Sequence, residues 1–213
     1  MNKNEKFIIT INRELGSGGR TVGRKLAEKL GVTFYDKWLI NELKAKFNLT
    51  TEEVEAVKGS NNSWWRELLN AAVYMGHNMG EMGCVPHAPE EEYHIVTTNE
   101  MFTVETEIFN HLANESCIVA GRSGFYVFRN HPNHLSILIQ ASMPHRIERV
   151  MRKQNMTEEE ARKTIEKVDK MRENYVNKYT GTSRYDTRNY DLVISADGKT
   201  EDEIVDLIMQ YIG

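Results

Sequence analysis

The stretch Ile9–Asp36, ITINRELGSGGRTVGRKLAEKLGVTFYD, decides how the rest of the chain is read. It continues the apolar, β-branched run that starts at Phe7, so FIITI (7–11) reads as a buried strand. NRELGSGGR is a turn-rich link. From Thr21 the apolar spacing becomes helical: Val22, Leu26 and Leu30 fall at i, i+4 and i+8, and Gly31 is placed to stop the helix. VTFYD (32–36) is a second short strand ending in an acid. Strand, glycine loop, helix, strand is the opening unit of a parallel sheet, because parallel neighbours need a crossover.

The same alternation continues downstream. WLINELKAKF carries Leu39, Leu43 and Phe47 on one helical face, and Val104, Ile108 and Leu112 align again. CIVAGRS (117–123) and HLSILIQA (134–141) read as buried strands running into polar turns. Helices follow near Pro144–Lys153 and from Glu158 to about Tyr179, the latter with Thr157 as N-cap and three acids in its first turn. YDLVIS (190–195) is a fifth strand and Glu201–Ile212 a closing helix. The expected fold is α/β: a doubly wound, mostly parallel five-stranded sheet flanked by helices, forming one domain over residues 1–213. Residues 58–100 break the pattern and are expected to be a small inserted helical subdomain. In such sheets ligands bind at the carboxyl ends of the strands, which here hold NRELGSGGRT, YDK, GRS and ASMPHR.

Charge is distributed unevenly. The chain of 213 residues has 27 Lys plus Arg against 31 Asp plus Glu, or −4. Residues 1–66 hold 12 basic and 8 acidic side chains, residues 67–121 hold none and 9, and residues 122–213 hold 15 and 14. That argues against a nucleic-acid binder, while leaving two cation-bearing stretches that can converge on a compact anion. Two cysteines, Cys84 and Cys117, and an N-terminus with only a short apolar run imply a cytoplasmic protein with no membrane span. Oligomeric state is not legible. His77, Cys84, His87 and His94 contain one Cys-x-x-His spacing but no second pair to complete a zinc site, and Trp64 and Trp65 have no cations beyond Arg66 to make a base-stacking platform.

Gly16, Ser17, Gly18 and Gly19 lie between a strand and the first turn of a helix. There, backbone N–H groups can wrap an anion and the helix N-terminus adds favourable partial charge. Thr21, in the first turn, is where a hydroxyl can reach the Mg²⁺ that accompanies nucleotide phosphates. Arg146, Arg149 and Arg152 recur every three residues after the ILIQA strand, either as a phosphate-facing row or as a solvated face paired with nearby acids. Arg184 and Arg188 flank a polar loop able to close over phosphates.

On these residues the chain resembles the cytidylate kinase-like family, whose members open with a strand, an arginine-glutamate pair and a GSGGR loop. CIVAGRS, VDKMR (168–172) and NYDLVIS extend the likeness over most of the chain. The resemblance implies a phosphate-loop kinase using ATP and Mg²⁺, with a helical lid at about 154–189 and a nucleoside monophosphate, CMP-like, as phosphate acceptor. Arg13 stands where the usual first loop glycine would be, and Gly19 where the phosphate-bridging lysine would be. The resemblance therefore implies Arg13, Arg20, Arg122 and Arg172 as catalytic cations. Gly16–Thr21 and Arg149 bind the donor, with Thr21 toward Mg²⁺, and Asp36, Arg122, Ser123, Asp169 and Arg172 bind the acceptor. Ser123 replaces an aspartate and Ile165 an arginine of the family pattern. Two alternatives stay open: a nucleotide-binding regulatory module that has lost catalysis, or a kinase of a non-nucleotide small molecule.

Overall fold

The computed structural model describes residues 1–36, 112, 114–121 and 123–213. The expected helix over 38–47, the insertion over 58–100, the helical spacing before Leu112, Arg122, and the Trp64–Trp65 and Cys84/His87/His94 groups lie outside them. In chain order the elements are β1 (Ile8–Arg13), α1 (Gly19–Leu30), β2 (Thr33–Tyr35), β3 (Cys117–Ala120), α2 (Gly124–Val127) and β4 (His134–Gln140). They continue with α3 (Met143–Gln154), α4 (Glu158–Thr180), a single 3-10 turn (Thr187–Asn189), β5 (Leu192–Ser195) and α5 (Glu201–Ile212).

The five strands form one parallel sheet in the order β2-β3-β1-β4-β5. β1 is central, with Ile9 beside Ile118 of β3 and Leu135 of β4. Because both its neighbours arrive late in the chain, the carboxyl end of β1 opens between two strands that do not follow it directly, which is where a crevice forms. Side chains alternate across the sheet. Ile9, Ile11, Ile137 and Ile139 pack with Val22 and Leu26 of α1 and Ile204 and Ile208 of α5 on one face. Leu138 packs with Phe125 of α2, Val176 of α4 and Tyr190 on the other. A strand apolar on both faces is what a doubly covered sheet requires. A third apolar cluster, Ile147, Val150, Ala161 and Ile165, joins α3 to α4 and takes in Leu15 of the glycine loop.

The structure moves several boundaries. β1 runs to Arg13, α1 starts at Gly19 rather than Thr21, and β5 starts at Leu192. β3 stops at Ala120, because Gly121 turns the chain with φ 78° and the one-turn helix α2 follows. A single turn carries no periodicity, so neither α2 nor the 3-10 turn was visible as a pattern. α4 is capped as its sequence foretells: Thr157 accepts from the Glu160 N–H while Glu160 accepts from the Thr157 N–H at 2.8 Å. Among the described residues no helix is long and apolar enough to cross a membrane.

Candidate active site

The site lies at the carboxyl ends of β1, β3 and β4 and is built around the loop Glu14–Gly18. Gly16 and Gly18 both take left-handed φ, 87° and 82°. That bends the chain tightly enough to start α1 directly above the end of β1. The loop secures itself through Ser17, whose hydroxyl donates to the Glu14 carbonyl at 2.9 Å. By contrast, the N–H groups of Gly16, Gly18, Gly19 and Arg20 donate to no other described residue. Unused donors converging at a helix N-terminus are what an anion needs.

A buried ionic network holds the loop from behind. Asp169 of α4 accepts the Leu15 N–H at 3.1 Å and pairs with Arg146 of α3, with Arg172 at 3.5 Å and with Arg184 at 3.5 Å. Arg172 donates to the Arg13 carbonyl at 3.1 Å, and Arg184 donates to the same oxygen. Arg146 also donates to the Leu15 carbonyl at 2.8 Å and pairs with Glu14, whose other oxygen accepts the Ala141 N–H at 2.9 Å. Asp169 and Arg172, expected as acceptor-binding residues, thus meet the loop's own backbone. Arg184 is 2% exposed and lies under the loop, not in a segment poised over phosphates, while Arg188 is exposed and paired with Asp186. Tyr190, whose phenol burial pushes up to about 12, stays a neutral hydroxyl and donates to the Arg184 carbonyl at 2.7 Å.

From above the loop, Arg149 of α3 lies over Gly18 and donates to the Thr21 hydroxyl at 3.4 Å. Glu201 of α5 anchors it at 2.6 Å. Burial tends to raise the Glu201 carboxyl, but its own backbone N–H and Arg149 outweigh this and hold it below its ordinary value. At the end of β2, Asp36 receives Arg13 Nη2 at 3.0 Å and Arg20 Nε on its other oxygen. Ser123, N-cap of α2 with φ 55°, is buried, and its hydroxyl has no hydrogen-bond partner among the described residues. The structure thus brings together Arg13, Gly16–Thr21, Asp36, Arg149, Asp169 and Arg172. The Ser17 hydroxyl is spent on the Glu14 carbonyl, and the hydroxyl suited to Mg²⁺ is that of Thr21 in the first turn of α1, partly exposed. It fits a cation that keeps most of its waters and takes one or two protein oxygens. Sequence reasoning missed Glu14 and left Arg146 and Arg184 without their buried partners. The arginine-glutamate pair before the loop was the only signal for Glu14, and nothing in the spacing marks a buried arginine.

Among the described residues, six arginines (13, 20, 146, 149, 172, 184) pair with four carboxylates (14, 36, 169, 201) around and beneath the loop, a local excess of positive charge in a chain of net −4. The family model described as cytidylate kinase-like family matches residues 8–197. A cytidylate kinase of Thermoplasma acidophilum is 25% identical over 206 residues, covering 96% of this chain and 91% of the relative. A solved structure of an uncharacterised protein from Eubacterium ventriosum superposes with TM-score 0.68 at 24% identity, covering 97% of this chain and 98% of the other. A shikimate kinase from Bacteroides thetaiotaomicron gives TM-score 0.50 at 11% identity, again over 97% and 98%. The fold is that of the phosphate-loop kinases, and the chain belongs to the cytidylate kinase-like family.

Proposed function

We propose that this protein is a cytoplasmic, ATP-dependent phosphotransferase that moves the γ-phosphoryl group of Mg²⁺-ATP to a nucleoside monophosphate, CMP first among candidates. The observation that carries this reading is the loop itself: four backbone N–H groups without an acceptor among the described residues, at a helix N-terminus, beside more guanidinium than carboxylate among those same residues. The loop N–H groups and Arg149 would hold the donor phosphates, and Thr21 would hold Mg²⁺, which would supply charge neutralisation. Arg13, Arg20, Arg122 and Arg172 provide the remaining positive charge, and Asp36, Arg122, Ser123 and Arg172 frame the acceptor, with Asp169 holding the loop behind them. Phosphoryl transfer asks mainly for positioning and electrostatic stabilisation, so a site made of donors and cations suffices.

Asp36 bears on the acceptor's chemistry. A hydroxyl acceptor needs a base to take its proton, whereas a monophosphate oxygen is already ionised near neutral pH. Both Asp36 oxygens are engaged by guanidinium groups, which favours the phosphate acceptor. A second reading, a non-nucleotide acceptor, is favoured by the Ser123 hydroxyl, buried with no partner among the described residues, where the family pattern has an aspartate. A coupled ADP-release assay over CMP, dCMP, UMP and AMP tests the proposal. Turnover highest with CMP is expected. Absence of turnover with every monophosphate at high enzyme concentration defeats it, and turnover only with a non-nucleotide hydroxyl compound establishes the second reading.

A further inference from the structure

An ordinary phosphate loop bridges the β- and γ-phosphates with a lysine, and position 19 of this chain is glycine. The reason is steric. A Cβ built on Gly19 comes within 2.6 Å of Arg13 Cβ and 3.3 Å of Ile139 Cβ. Arg13 Cβ cannot swing away, being one bond from a backbone whose carbonyl is held by Arg172 and Arg184. Further along, a Cβ on Gly121 comes within 2.4 Å of Arg13 Nη1. The Arg13 side chain therefore runs through a slot whose walls are two residues without side chains. It leaves the end of β1 under the first residue of α1, passes the end of β3 and reaches Asp36 beyond β2. Arg20 is a weaker candidate for the lysine's role: its side chain is 56% exposed and approaches Asp36 from the outside.

We propose that Arg13 supplies, from the end of β1, the positive charge that an ordinary phosphate loop takes from lysine, and that Gly19 and Gly121 are its positioning residues. This rests on the phosphotransferase reading above. During transfer the bond between the γ-phosphorus and the β–γ bridging oxygen breaks, and that oxygen leaves on ADP with the electron pair. The new bond forms to an ionised phosphate oxygen of the acceptor, and no proton has to move. The path runs from the glycine loop to the ends of β2 and β3, and the Arg13 guanidinium spans that interval, where its fork can meet the equatorial oxygens bidentately. Arginine at 13 and glycine at 19 are then one coupled exchange, and lysine cannot be restored at 19 while Arg13 is in place.

The test is a set of full-length variants assayed with Mg²⁺-ATP and CMP, with ATP affinity from a fluorescent ATP analogue and thermal unfolding measured alongside. R13M is expected to lower kcat about 100-fold, with KM for ATP changing less than about tenfold, the order of effect of removing one transition-state donor. G19K alone is expected to be no more active than R13M. The double variant R13G/G19K, which rebuilds the ordinary glycine-and-lysine pair, is expected to exceed both of its single variants at least tenfold. G121A should lower kcat only while Arg13 is present, so its effect should vanish in R13M, which keeps the proposal testable if G19K does not fold. Wild-type kcat in R13M, or G19K exceeding wild type, overturns the inference while the kinase reading stands. If the wild type transfers to no monophosphate, the kinase reading falls. ATP affinity then decides for Arg13, with a severalfold loss in R13M expected and unchanged affinity overturning the role.

Discussion

Position 165 shows how a departure from a family pattern can be compensated nearby. The resemblance implies an arginine four residues before Asp169, yet Ile165 is fully buried among Ile147, Val150 and Ala161. The guanidinium that meets Asp169 comes instead from Arg146 on the neighbouring helix. The three-residue recurrence of Arg146, Arg149 and Arg152 was legible, but the sequence offered a solvated face and a phosphate-facing row as equal readings. The structure divides them: Arg146 is buried, Arg149 lies over the loop, and Arg152 is exposed. One sequence could not show this, because which arginine is desolvated depends on a carboxylate supplied by another element. Asp169 is the residue on which this arrangement turns. Replacing it with alanine leaves Arg146 and Arg184 buried without their shared counter-charge and the Leu15 N–H without its acceptor. Breaking such a buried pair typically costs about 3–5 kcal/mol. D169A should therefore lower the unfolding free energy measured in urea by an amount of that order and weaken ATP binding. A variant with wild-type stability would mean that Asp169 does not hold the loop.

At the scale of elements, periodicity located every long helix and strand among the described residues, while single turns escaped it. α2 and the 3-10 turn are too short to repeat any spacing, and β3 ends early because Gly121 adopts a conformation that the CIVAGRS pattern does not encode. α4 was the most legible element because its start is written in local chemistry, Thr157 followed by three acids. That chemistry serves the site, since α4 carries Asp169 and Arg172 to the loop and Val176 to the far face of the sheet. T157A removes the side-chain acceptor for the Glu160 N–H. It should cost about 1 kcal/mol, the usual value of an N-cap hydroxyl. Thermal unfolding should show the loss with ATP affinity unchanged, because the cap lies three helical turns from Asp169. A drop in affinity would show that fraying at the start of α4 reaches the loop.

For the whole molecule, the parallel sheet separates function from stability along its strands. The carboxyl ends hold the glycine loop and its arginines, and the amino ends hold buried groups with no part in phosphate chemistry. His134 begins β4 beside Ile8, and its Nε2 is 2.8 Å from the Thr10 hydroxyl. Burial pushes the imidazole down to about 4, against a partial upward pull from Asp191. The folded state therefore holds a neutral ring at pH values where the unfolded chain, titrating near 6.5, binds a proton. Stability from this group is fully present above about pH 6.5, declines as pH falls toward 4, and changes no further below that. The displacement corresponds to at most about 3 kcal/mol. Carboxylates whose values are lowered by the fold, such as Asp197 beside Ser142, lose their contribution only below their ordinary range, so pH 6.5 to about 4.5 is the window that belongs to His134. Urea unfolding of wild type should lose midpoint steadily across that window, and H134Q should lose markedly less. Parallel profiles would assign the acid sensitivity to another group. Since His134 lies at the amino end of its strand, ATP affinity measured at pH 7.5, where the ring is neutral, should be the same in both proteins.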